Sequence, residues 1–278
     1  MAGRNLIVFL VSVLLVFAAV SCKFQRILRS DDPELKYQKA IEYYEKGEYS
    51  RSIRLFTDVI SVYRGTARAE KINYYYTMSH YKVGDYIMAS HYFKSFVASY
   101  PASEHAEKFT YLSAYCKYLV SPPYSLDQTS TREAIQEFQR FVNRYPDSEK
   151  VEKANEIIDE LRLKLEKKRF EIGKLYYNIN DFRAAIVSFN NLINDFPGTV
   201  FEEEAYFFIV KSYHDFASMS IPERQPERYE KTVEAYNRLI RNFPESKFLK
   251  EANVLLQNAY DNLGEDENQQ EIILTEIK

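Results

Sequence analysis

Apolar positions recur along the chain in one fixed arrangement. A small residue is followed by an aromatic four positions later and by a second aromatic at the eleventh position. In four of five cases proline stands at the twelfth. The sets are Ser52-Phe56-Tyr63-Arg64, Ala89-Phe93-Tyr100-Pro101, Ala134-Phe138-Tyr145-Pro146, Ala185-Phe189-Phe196-Pro197 and Thr232-Tyr236-Phe243-Pro244. Residues at i and i+4 share a helix face. The small residue lets a neighbouring helix approach and the ring fills the space beside it. The spacing predicts that the second aromatic returns to the same face three turns on, and that proline then ends the helix.

A new amphipathic run follows each proline, with Ser103, Ser148, Thr199 and Ser246 as expected N-caps. A further helix precedes each marked one, joined to it by short turns at Gly47, Gly84 and Asn180. The unit is helix-turn-helix and resembles the tetratricopeptide repeat (TPR). The resemblance implies an all-α, TPR-like solenoid of about five repeats that winds into a right-handed superhelix with a concave face. The repeats are 37, 45, 51 and 47 residues apart, longer than the 34 of the ideal unit. The excess is expected in enlarged inter-helix loops at 121–131 and 218–228, and in one long helix within 148–178, where only Gly173 interrupts the pattern.

The start of the chain differs. Leu6–Val20 is almost unbroken apolar sequence behind Arg4, and Ala18, Ala19 and Ser21 precede Cys22. The run is short for a bilayer span, which takes about 20 residues. It has the three parts of an export signal, and small residues before cysteine resemble the bacterial lipobox. Cys22 is therefore expected to be the first mature residue and to carry a palmitate-type lipid. A plain signal peptide and a retained membrane anchor remain open. Ala19 departs from the usual leucine at that place, and Lys23 after the cysteine favours the outer membrane.

The expected divisions are a signal peptide at 1–21, a lipidated linker at 22–33 and repeats one to three at 34–147. A long helix with repeats four and five covers 148–263, and an acidic tail covers 264–278.

Composition removes several function classes. The net charge is −3, and loss of Arg4 with the leader makes it one unit more negative, so nucleic acid is not expected as a partner. Seven glycines, 24 tyrosines, 19 phenylalanines and no tryptophan suit helices packed by large rings. With Cys22 acylated, Cys116 is left alone, and its apolar setting predicts a buried structural thiol. His80, His91, His105 and His214 fall on separate repeats, so no metal is expected. No phosphate loop or nucleophile motif occurs. The chain is expected to be no enzyme, to use no cofactor and to take no small-molecule substrate.

Two features suggest recognition. Tyrosines crowd the first helices of repeats one and two, where "YYY" at 74–76 covers too much circumference for every ring to be core. Tyr37, Tyr44, Tyr74, Tyr75 and Tyr81 are the candidate peptide groove. The enlarged loops supply candidate partner-binding residues Pro122, Tyr124, Asp127, Gln128, Pro222 and Arg224.

Leader, lipobox and five TPR-like repeats together resemble the BamD family, lipoproteins of the outer-membrane β-barrel assembly machine. "SPPYSLDQTSTREAIQEFQRFVNRYPDSE" carries most of the likeness, with "YRGT" at 63–66 and "FPESKFLKEA". The resemblance implies a lipid-anchored scaffold on the periplasmic face of the outer membrane. It implies that the C-terminal half binds the POTRA domains of a BamA-like insertase, and that the N-terminal repeats engage unfolded outer-membrane proteins. It carries no catalytic residues. Two alternatives stay open: another periplasmic TPR scaffold, for division or peptidoglycan synthesis, and a SusD-type glycan-binding lipoprotein.

Overall fold

Residues 23–264 are the part of the chain that this computed structural model describes. They hold twelve α-helices, a single 3-10 turn and no strand. The expected leader at 1–21, Cys22 and residues 265–278 of the expected tail lie outside the described residues. Helix α1 covers 23–28. It is followed by α2 (Pro33–Glu45), α3 (Tyr49–Val59), α4 (Ala69–Val83), α5 (Tyr86–Ser99), α6 (Ala106–Leu119) and α7 (Thr129–Arg144). Then come α8 (Val151–Asn178), α9 (Phe182–Asp195), α10 (Glu202–Ser218), the 3-10 turn Pro222–Arg224, α11 (Gln225–Asn242) and α12 (Leu249–Leu263).

The helices form two compact units. The first is the chain up to Ser121 with Thr129–Ile158, and the second is Pro122–Gln128 with the chain from Asp159 onward. Within each, sequence neighbours pack on one another, and alternate helices also touch, as α2 does α4 and α10 does α12. That is the TPR-like stack of helix pairs the repeat predicts.

The repeat positions behave alike in both units. Ser52, Ala89, Ala134, Ala185 and Thr232 are all fully buried, as are Phe56, Phe93, Phe138 and Phe189, with Tyr236 nearly so. Ser52 and Thr232 stand where the other repeats have alanine because their hydroxyls find partners: Ser52 accepts from Ser79, and Thr232 donates to the Arg228 carbonyl.

The second aromatic sits otherwise than expected. Tyr100, Phe196 and Phe243 close α5, α9 and α11 from the C-cap, with φ of −131°, −134° and −137°. Proline at the next position excludes the helical conformation from the residue before it. The ring therefore leaves the helix face and lies half-buried at the helix end. In the first repeat Arg64 replaces the proline, and Tyr63, like the other four second aromatics, donates its amide to the carbonyl four residues back.

One joint leads from each of these aromatics to the next helix. The amides of Thr66, Ser103, Ser148, Thr199 and Ser246 donate to the carbonyl three residues back, and their own carbonyls accept from the amide three residues on. Each hydroxyl also accepts from the amide two residues on, at 3.2–3.3 Å. These residues are not the N-caps expected: α6, α10 and α12 have His105, Phe201 and Phe248 at that position, without side-chain cap bonds. The hydroxyls instead hold the opening turn before the regular helix, and Thr66 joins the four foreseen. Three of the hydroxyls also donate to a glutamate of the preceding repeat: Ser148 to Glu107, Thr199 to Glu166 and Ser246 to Glu203, at 2.6–2.8 Å.

Turns within the pairs follow the sequence. Gly84 caps α4 at φ 85°, and Asn180 holds φ 62° between α8 and α9. Gly173 is interior to the 28-residue α8, where a Cβ would fall 2.6 Å from the Phe189 ring. The glycine that looked like a helix breaker is there to admit that ring.

Two expectations change. The loop expected at 218–228 shrinks to 219–224, because Gln225–Arg228 already belong to α11 with Pro226 in its first turn. The Arg228 guanidinium lies 3.9 Å over the Phe216 ring and bonds to Ser220. Residues 23–28, expected within a linker, are helical. Phe24 meets Tyr43 edge-on at 5.6 Å and Ile27 is buried in the core of the first unit.

Candidate functional site

The first unit carries a continuous sheet of rings. Tyr44 meets Tyr75 at 4.8 Å and Tyr49 at 5.4 Å, and Tyr75 meets Tyr74 at 5.4 Å. Tyr74 stacks on Phe109 and lies 4.4 Å from the His105 ring. Tyr75 stacks on Phe56, so the outer rings rest directly on the buried ones. Tyr81 continues the layer to Tyr86 and Phe93. Of the five groove candidates, Tyr75 touches both Tyr44 and Tyr74, and Tyr81 packs on the same core cluster as Tyr44 and Tyr74. All four are half-buried. Tyr37 is apart from them: it is buried against Tyr63 and Arg68. Burial pushes the Tyr44 phenol up to about 12 and raises that of Tyr81. These rings therefore offer neutral hydroxyls above an apolar body.

The first unit also has a cleft of about 700 Å³ lined by Lys94 and Val97 of α5, Thr110 of α6, and Glu137, Arg140 and Arg144 of α7. Glu137 is only 8% exposed. It is bridged by Lys94 and by Arg140, the latter at 2.5 Å. Three cations around one carboxylate leave the lining net positive. Arg140 and Arg144, four apart on one helix, were readable in the sequence. Lys94 joins them only through the stacking register, 43 positions from Glu137.

The enlarged loop after α6 is tightly built. Gln128 is buried at 1% exposure, and its amide donates to the carbonyls of Pro123 and Leu126 at 2.8 and 3.0 Å. Gln128 closes this loop and is not available to face a partner. Lys168 donates to the Leu126 carbonyl, and the Lys167 ammonium lies 4.7 Å over the Tyr124 ring. Pro122 is half-exposed and Asp127 exposed. In the second connection Pro222 and Arg224 are exposed, and Arg224 pairs with Glu227.

The titratable groups elsewhere are structural. Cys116 is fully buried and its thiol is pushed up to about 12 by burial, as its apolar setting predicted. His80 is buried beside Asp85, and burial lowers its pKa. His214 contacts Asp215 at 3.0 Å. Among the described residues no group of three or more His, Cys, Asp or Glu is placed to hold a metal ion. No helix among them is long and apolar enough to cross a membrane.

Among curated proteins nothing matches this chain. Thirty-three chains among the solved structures do. One is the TPR2AB-domain:pHSP90-complex of yeast Sti1, 11% identical with a TM-score of 0.36, covering 82% of this chain and 98% of that one. The family model YfiO, described as outer membrane lipoprotein, matches residues 29–221. That span takes in repeats one to four, and it agrees with the BamD resemblance of the repeats. The chain belongs to the YfiO family of outer membrane lipoproteins.

Proposed function

We propose that this protein is a non-enzymatic scaffold of the β-barrel assembly machinery, acylated at Cys22 and held on the periplasmic face of the outer membrane. The family match over residues 29–221 is the observation that carries this reading. The helix-pair stack supports it, because such stacks offer long surfaces to other polypeptides.

In this reading the N-terminal repeats receive extended, unfolded outer-membrane proteins over Tyr44, Tyr74, Tyr75 and Tyr81. Rings with hydroxyls suit transient contact, since they bury area at low entropic cost and hold no fixed partner. The C-terminal repeats grip the POTRA domains of a BamA-like insertase, with Tyr124, Asp127, Pro222 and Arg224 as candidate contacts.

The test is a mild-detergent pull-down of the tagged full-length chain, with mass spectrometry of the partners and of the N-terminal peptide. A POTRA-containing barrel protein in near-equal amount is the expected result. Acylated chain without such a partner would overturn the assembly-machinery reading and leave another periplasmic scaffold. Undiminished insertase recovery after deletion of repeats four and five would refute the assignment of the grip.

A further inference from the structure

We propose that the outward face of α1, made by Lys23, Arg26 and Arg29, rests on the anionic phospholipid headgroups of the membrane that anchors the chain. The inference rests on the reading that Cys22 is acylated.

Helix α1 is amphipathic in six residues. Phe24, Ile27 and Leu28 turn inward to the core of the first unit. Lys23 and Arg26 of α1, and Arg29 in the turn whose amide continues the helical bonding to the Gln25 carbonyl, stand at i, i+3 and i+6 on the opposite side, and all three are exposed. Arg26 and Arg29 line an open cleft of about 770 Å³ together with Ile27 and Leu35. Among the described residues none of the three cations is in an ion pair, whereas Lys36, Lys39, Lys46, Arg51 and Arg68 of the neighbouring helices and turns are. The nearby carboxylates are largely engaged: Asp32 accepts from the amides of Glu34 and Leu35, and Glu34 pairs with Arg68. Asp31 and Asp32 are both exposed beside them, with Asp32 holding the start of α2.

These three positive charges fall within seven residues on a chain of net charge −3. Their position explains them. Lys23 follows Cys22 directly, so its Cα is about 3.8 Å from that of the acylated residue. Arg29 is roughly 9 Å farther along the helix. Lys23 and Arg26 therefore lie within about one Debye length, about 8 Å at physiological salt, of the acylated residue, and Arg29 lies within about two. An anionic headgroup surface is the partner that this geometry brings to the face. Each cation near such a surface strengthens binding several-fold.

α1 is also docked and not tethered. Phe24 meets Tyr43 edge-on, and the Arg51 guanidinium lies 5.4 and 5.6 Å from these two rings. Contact of α1 with headgroups thus fixes the first repeat at the membrane surface.

The test uses the mature chain, residues 22–278, carrying Cys22→Ser so that no acyl chain contributes. It is sedimented with vesicles of phosphatidylcholine alone and of phosphatidylcholine with phosphatidylglycerol. The expected result is binding to the anionic vesicles that weakens with added salt, and a loss of roughly 100-fold in K23Q/R26Q/R29Q. Removing three exposed cations from the second unit (R183Q/R241Q/K250Q) is expected to change binding less than about twofold, since those cations do not belong to the α1 face. An unchanged melting temperature shows that the α1 variant is folded, because all three side chains are exposed. Equal binding to both vesicles, or equal loss in the two triple variants, overturns the proposal. The mass of the N-terminal peptide from native membranes is read separately. An unmodified Cys22 removes the anchor and with it the placement of α1. A modified Cys22 with charge-insensitive binding overturns the basic face alone.

Discussion

The two units share one repeat but line it with different rings. In the first, the half-buried positions over the core are Tyr44, Tyr63, Tyr74, Tyr75, Tyr81, Tyr86, Tyr92 and Tyr100. In the second they are mainly Phe196, Phe201, Phe208, Phe243 and Phe248, with only Tyr177 and Tyr213 carrying hydroxyls. The first unit therefore ends in hydroxyls, some bonded to one another, as Tyr76 is to Tyr92 at 3.1 Å. The second ends in dry stacking, as between Phe207 and Phe248 at 4.7 Å and 5°. A phenol at the edge of a core keeps one end wet, whereas a phenyl there gives all its area to packing. The comparison teaches that one repeat supports two surfaces: one suited to contacts that come and go, the other to a firm body.

The sharpest way to break this comparison is to remove one central ring from each unit. Phe189→Ala and Phe93→Ala are each expected to cost about 3–5 kcal/mol, as deletion of a buried ring does. Hydrogen exchange should show Phe189→Ala loosening amides after Asp159, and Phe93→Ala those before it. Uniform loosening in both variants would mean that the units melt as one. Next is Gly173→Ala. Alanine usually stabilises a helix interior by up to about 1 kcal/mol over glycine, but here the added methyl collides with Phe189. A net loss of about 1–3 kcal/mol is expected from overpacking, and a raised melting temperature would contradict it. Ser246→Ala, which deletes the link to Glu203, should cost about 1 kcal/mol by urea titration.

His80 gives the first unit a pH dependence. Burial lowers its folded pKa below the ordinary 6.5, so the unfolded chain binds the proton more readily. The stability this contributes is complete above about 6.5 and is lost as pH falls toward the folded value. Stability profiles of the native chain and His80→Gln should converge as the pH is lowered. The smallest effect is expected from Tyr44→Phe, within about 0.5 kcal/mol. If the tyrosine layer serves recognition, that variant should weaken binding of an unfolded barrel peptide while leaving melting unchanged.

Much of the fold was legible because period and punctuation are local. The small-residue and first-aromatic positions, the turns at Gly84 and Asn180, and the uninterrupted α8 all follow from spacing and backbone preference. The second aromatics were misplaced because the constraint that proline puts on its predecessor outweighs helical periodicity there. Gln128 looked available because its loop is polar, and nothing in the sequence says that its amide closes that loop. Tyr37 is hidden by Tyr63 and Arg68 from the next helices, and the cationic cleft joins Lys94 to Arg140. Both need the stacking register. The docking of α1 was missed because six residues are too few to display a period.

The joint between repeats has a further consequence. Aromatic, hydroxyl residue and first helical residue fall at 63-66-69, 100-103-106, 145-148-151, 196-199-202 and 243-246-249. No joint is longer or shorter than another, while the connections inside the pairs vary from the two residues between α4 and α5 to the nine between α6 and α7. Insertions and deletions are thus channelled to one kind of turn, and the spacing from pair to pair is insulated from them. A lineage can lengthen or recompose its inner loops, and so change what it meets, without re-registering a single helix against the next.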